Sequence, residues 1–94
     1  MIKVIIERHI ADEELCKHYE KSEMNTLQKA MQAHGFISGE ALKDVHDSNH
    51  RIIIATYRTV DDWHRWRIST ERKELMEMIS PMLDRDEKFM ILEH

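Results

Sequence analysis

Residues 35–59 read GFISGEALKDVHDSNHRIIIATYRT. Gly35 follows a helix-like run and suits the left-handed residue just past a last helical turn. Phe36 to Val45 then reads as a strand, and Asp47-Ser48-Asn49 supplies the chemistry of a tight turn. His50–Thr59 reads as the return strand, and its Ile52-Ile53-Ile54 centre suggests a central position in a sheet. Upstream of this hairpin lie a β-rich run at Met1–Ile10 and a helical run at Ala11–His34. Downstream lie a helical stretch at Val60–Ile79 and a last strand at Glu87–Leu92. The order is β-α-β-β-α-β, which predicts an α+β protomer with two helices on one face of a four-stranded antiparallel sheet.

Local signals agree with that order. In the first strand Ile2, Val4 and Ile6 fall on one face, and Lys3, Ile5, Glu7 and His9 on the other. Asp12, Glu13 and Glu14 suit the positive end of a helix dipole. Leu15, Cys16, Tyr19, Leu27, Ala30 and Met31 recur at three- and four-residue spacing, opposite Lys17, Lys21 and Lys29, as in an amphipathic helix. Trp63 and Trp66 share a face of the second helical stretch, Ser69 can cap a further turn or two, and Pro81 stops it. Ile-rich strands cannot leave the second face of the sheet wet, so a partner sheet is its simplest cover.

Composition narrows the function classes. The chain has 94 residues, read as one domain over 1–94, and a chain of this size buries only about 60–65% of its unfolded surface, which dimerisation would improve. Hydrophobic residues make up 41% and charged ones 34%, so a compact domain is expected rather than disorder. The formal charge of −4 comes without a basic stripe, which argues against nucleic acid as a partner. No apolar run reaches the ~20 residues of a membrane span, and Lys3, Glu7, Arg8 and His9 interrupt the start where a signal peptide would be apolar. A cytoplasmic location is expected, and the single cysteine, Cys16, fits a reducing compartment. Leu92-Glu93-His94 look like the start of an expression-tag remnant, so nothing is built on Glu93 or His94.

Gly-rich phosphate loops, a Gly-x-Ser-x-Gly elbow and a Cys-x-x-Cys pair are missing, which removes support for nucleotide, serine-hydrolase and dithiol chemistry. Asp44, His46, Asp47 and His50 form the densest set of metal-type ligands, but they straddle a hairpin turn and would fan out. A solvated turn and no metal site are expected there. Any catalysis must come from a shaped apolar cleft with a few polar groups.

The element order, Gly35-Phe36-Ile37-Ser38-Gly39 after the first helix, and Trp63-x-x-Trp66-x-x-Ser69-x-x-Arg72 resemble the antibiotic biosynthesis monooxygenase (ABM) domain family of the dimeric α+β barrel superfamily. The resemblance spans nearly the whole chain. It implies a ferredoxin-like protomer, a homodimer formed sheet to sheet, and a ligand cleft between helices and sheet. Members of that family include cofactor-independent oxygenases of polycyclic phenols and quinols, and heme-degrading monooxygenases. In the heme-degrading branch a Trp-x-x-Ser context matches Trp66 and Ser69, but the strand-one Asn falls at Glu7 and the axial His at Met76.

The resemblance therefore implies a small monooxygenase without cofactor, acting on an aromatic or quinol-like metabolite. Such an enzyme needs a base to deprotonate its substrate and a cation to hold the resulting anion. His9 is a candidate base, as the side-chain type that titrates near neutral pH, and Glu7 on the same strand face is the alternative. Arg72 is the candidate cation. Trp66 and Trp63 are candidates to line the cleft against a planar substrate, and Tyr57 to bond a substrate oxygen. The competing structural roles are core filling for both Trp residues, solvent contact for Tyr57, and ordinary salt bridging for His9 and Arg72. The alternative function, from a different class, is a non-catalytic dimeric module that binds a small apolar ligand, heme included.

Overall fold

Strand β1 (Ile2–His9) alternates as the two-residue period demands: Ile2, Val4, Ile6 and Arg8 are buried, while Lys3 and Glu7 are exposed. The computed structural model covers residues 1–94 and places β1 in the interior of a four-stranded sheet. Beside it run β3 (His50–Tyr57) and β4 (Lys88–Glu93), both antiparallel, while β2 (Phe36–Lys43) forms the edge outside β3. The order β2-β3-β1-β4 is that of the ferredoxin-like α+β fold predicted from the sequence.

Pairing registers define the two faces. Val4 stands opposite Ala55 and Ile91, and Ile6 opposite Ile53 and Phe89. These face the helices α1 (Cys16–Ala30), α2 (Val60–Arg67) and α3 (Thr70–Ile79), and Ala30, Trp63 and Trp66 join them in the main core. A smaller core of Ile10, Tyr19 and Ile79 closes the far end, with Cys16 and Met76 packed against it. On the opposite face Ile5 stands across from Ile54 and Met90, and Leu42 and Leu92 are 44% exposed.

The predicted second helix is two helices. Ile68 and Ser69 interrupt it, and Ser69 Oγ accepts from the Arg72 amide at 3.2 Å, as Thr59 Oγ1 accepts from that of Asp62 at 3.1 Å. Two side-chain caps within one apolar stretch let the chain turn and keep both helices on the sheet. The helix predicted over Ala11–His34 begins with a 3₁₀ turn at Glu13–Leu15, capped by Asp12, and ends at Ala30. Its buried stripe is Tyr19, Glu23, Thr26 and Ala30, whereas Met31 is 61% exposed.

The hairpin forms as the sequence predicts, with the Asn49 amide donating to Asp47 Oδ1 at 3.0 Å. Pro81 stops α3 at Ile79. Gly35 adopts φ +83°, and any side chain there would collide with the Asp62 carboxylate, so the chain between α1 and β2 is seated against the start of α2. No helix is long and apolar enough to cross a membrane.

Candidate functional site

A cleft lies between the helices and the inner face of the sheet. Ile6, Ile53 and Ala55 form its floor, Leu27 and Ala30 one wall, and Trp63 and Trp66 the other. The enclosed space is about 30 Å³, room for about two water molecules. Its charged lining residues are Arg8, Glu23 and Arg72, one each from β1, α1 and α3.

These groups belong to one buried network. Arg8, 2% exposed, donates through Nε to Glu87 Oε2 at 2.9 Å and through Nη1 to Tyr19 Oη at 3.2 Å. Arg72 Nη2 donates to the other Glu87 oxygen at 2.8 Å, so two guanidiniums share one carboxylate. Burial, the largest influence on Glu87, pushes its carboxyl up, but Arg8 and Arg72 together hold it below the usual range. Arg8 stays cationic for a matching reason, since burial opposes its charge while Tyr19 and Glu87 more than offset the penalty. Tyr19 in turn donates to Glu23 Oε2 at 2.6 Å. Glu23 is pushed up by burial, against the opposing influence of Tyr19, Arg8 and Arg51.

Aromatic rings run along the same cleft. Phe36 meets Tyr57 edge-on at 5.4 Å between centroids, Tyr57 meets Trp63 at 5.6 Å, and the Arg72 guanidinium lies 5.5 Å from the centre of the Trp63 ring. Burial pushes the Tyr57 phenol up to about 12, so it stays a neutral hydrogen-bond donor. Trp63 Nε1 is buried without a hydrogen-bond partner. An unpaired buried donor costs about 1–3 kcal/mol.

Of the residues singled out from the sequence, the structure brings Trp63, Trp66, Tyr57 and Arg72 together around this cleft. Glu7 and His9 do share a strand face, as predicted, but it is the face without helices, and neither lines the cleft. Alternation ties Glu7 and His9 to one face, and packing turns the other, with Arg8 between them, toward the helices. On their own face His9 lies between Asp84 (2.9 Å) and Asp47 (3.2 Å), and His50 between Glu7 (2.7 Å) and Asp44 (2.9 Å). The Asp44 hydrogen bond, then that of Glu7, raises the His50 pKa. These carboxylates thus engage imidazoles, and no group of residues there has the arrangement of a metal site.

Sequence reasoning missed Arg8, Tyr19, Glu23 and Glu87 as a functional set. Arg8 carried a signal, as a charge in register with Ile2, Val4 and Ile6. Glu23 carried another, four residues after Tyr19 on the stripe that ends in Ala30. Glu87 carried none, because it lies just before β4 and only tertiary packing brings it to Arg8.

No protein-family model and no curated protein sequence matches the chain. Solved structures do match it in shape. A crystal structure of an antibiotic biosynthesis monooxygenase superposes with a TM-score of 0.90 at 16% identity, covering 100% of this chain and 98% of that one. SnoaB, a cofactor-independent oxygenase from Streptomyces nogalater, gives 0.89 at 11% identity over 99% and 91% of the two chains. A conserved protein from Methanosarcina mazei Go1 gives 0.89 at 13% identity over 98% and 90%. Over its whole length, therefore, this chain has the fold of the antibiotic biosynthesis monooxygenase structures.

Proposed function

We propose that the protein is a cofactor-independent monooxygenase that holds an aromatic or quinol-like metabolite in the cleft between helices and sheet. The observation that carries this reading is the make-up of the cleft. Its walls are apolar and aromatic, and its charged lining residues are two arginines and one carboxyl. Trp66 and Trp63 flank the ring system, Tyr57 donates to one of its oxygens, and Arg72, with Arg8 behind it, steers the anion.

Removal of a proton leaves an electron-rich anion that passes an electron to dioxygen. For an activated ring CH2 the net change is CH2 + O2 → C=O + H2O, so every electron that reduces dioxygen comes from the substrate. The arginines favour this course by stabilising the negative charge as it forms in a water-poor site. The working form is a homodimer closed through the outer sheet face. The apolar side chains Ile5, Ile54, Met90 and Leu92 on that face support this, as does the likeness to SnoaB in fold.

A second reading, a binding module without chemistry, is favoured by one observation: the enclosed space of about 30 Å³ is far smaller than any ring system. Catalysis requires the helices and the sheet around the cleft to part on substrate binding. Oxygen uptake by purified protein over a panel of quinols and polycyclic phenols, without added metal or flavin, decides between the two. The monooxygenase reading expects uptake that falls about tenfold or more in Trp66→Ala and Arg72→Met. Loss confined to His9→Ala or Glu7→Ala would move the chemistry to the opposite face. No uptake, with thermal stabilisation by the same compounds, would leave the binding module.

A further inference from the structure

We infer that Glu23 is the base of this cleft, and that Tyr19 and Arg8 are the positioning residues that aim it. The inference rests on the reading of the cleft as a substrate site and adds to it the group that starts the reaction. In this step a C–H or O–H bond of the bound substrate breaks and its electron pair stays on the carbon or oxygen that loses the proton. The proton forms an O–H bond on Glu23, and nothing is oxidised or reduced.

Three observations converge on Glu23. It contributes the one carboxylate of the cavity lining, whereas Glu87 stands behind the two arginines. It is 8% exposed, on a wall shared with Leu27 and Ala30 of the same helix. Its hydrogen bonding leaves one oxygen free: Oε2 accepts from Tyr19 at 2.6 Å, while Oε1 has no partner within the chain and is available to a substrate proton.

The direction of the Tyr19 bond follows from Arg8, which is a donor only. The Tyr19 oxygen accepts from Arg8 Nη1 at 3.2 Å, so its hydrogen goes to Glu23. Because Tyr19 and Glu23 are one helical turn apart on α1, the pair is held by a rigid element.

The surrounding charges suit a base rather than a structural ion pair. Arg8 faces Glu23 from β1 and Arg51 from β3, with Glu20 on α1 itself and Arg72 across the cavity from α3. None of these cations makes a direct ion pair with it: Arg8 is engaged by Glu87, Arg51 by Glu20 at 3.0 Å, and Arg72 by Glu87. Burial therefore moves its pKa up, toward the range in which a carboxylate takes protons effectively at neutral pH.

The test separates proton transfer from oxygenation. β-Tetralone, a bicyclic ketone with an acidic ring CH2, is incubated anaerobically with the protein in D2O. NMR follows hydrogen–deuterium exchange, and quenching of Trp fluorescence follows binding. Wild-type protein is expected to accelerate exchange, Glu23→Gln to lose about a hundredfold of that acceleration while still binding the ketone, and Glu23→Asp to recover part of it.

Tyr19→Phe is expected to shift the rising limb of the pH–rate profile to higher pH, because it removes the hydrogen bond that favours the carboxylate. Exchange by Glu23→Gln at the wild-type rate, or no exchange by wild-type protein that binds the ketone, would overturn the inference and leave the cleft as a binding site. Failure of the ketone to bind would remove the substrate-site reading and the inference with it. Exchange without oxygen uptake in air would sustain Glu23 as base and overturn the monooxygenase reading.

Discussion

Two carboxyls, buried Glu23 and half-buried Glu87, set opposite demands on this molecule. Glu87 is held low by Arg8 and Arg72 after burial has been overcome, so its contribution to stability is present above its ordinary pKa of 4.5 and is lost as pH falls through its lower folded value. Glu23 is held high by burial, so its cost to stability sets in as pH rises above 4.5 and grows until its higher folded value is passed. Glu23→Gln is therefore expected to match wild type near pH 4 and to exceed it in stability at pH 8, measured by urea denaturation; a gap that does not widen with pH would contradict a buried, costly carboxyl. Glu87→Gln should do the reverse, costing about 3–5 kcal/mol at neutral pH because two buried guanidiniums lose their shared partner, with the loss shrinking in acid. A stabilising substitution at the proposed base is the trade expected of a group kept for chemistry. Trp63, Trp66 and Arg72 were legible through the Trp-x-x-Trp-x-x-Ser-x-x-Arg spacing that carries the resemblance and Tyr57 through its place near the end of a strand, and all four line the cleft. Arg8 was visible in register with Ile2, Val4 and Ile6, and Glu23 in step with Tyr19 and Ala30, but neither spacing says what the charge meets once buried.

The break between α2 and α3 shows how a local cap serves the site. Ser69 caps α3 at its start, and Arg72, in the first turn of that helix, lines the cleft. Ser69 Oγ accepts from the Arg72 amide at 3.2 Å and also donates to the Trp66 carbonyl at 2.6 Å, joining the end of one helix to the start of the next. Ser69→Ala is expected to lower stability by about 1 kcal/mol, read as a lower urea midpoint at unchanged slope. A loss below a few tenths would mean that packing of Leu75 and Ile79, rather than the cap, holds α3. The cap itself was foreseeable from the sequence; that it begins a separate helix was not, because Ile68 and Ser69 are compatible with either geometry until the sheet beneath them is present.

The molecule as a whole is a one-sided sandwich. Its helices cover one face of the sheet, while Ile5, Ile52, Ile54 and Met90 lie on the other in register with one another. Ile54→Asp places a charge at the middle of that face, and the proposed homodimer then predicts a monomer by sedimentation, with wild type at twice that mass. Equal sedimentation of the two proteins would count against pairing through the sheet. The strand and helix order, the hairpin and its turn, and the division of β1 into two faces followed from the chain alone, because they depend on periodicity and turn chemistry within a few residues. Tertiary structure decided which face receives the helices, and with it the fate of Glu7 and His9, which alternation alone leaves equally eligible for either side. It also decided the buried network, in which Arg8 meets Glu87 across 79 residues of sequence. A local pattern can show that a charge will be buried, but which opposite charge awaits it there depends on how distant segments pack.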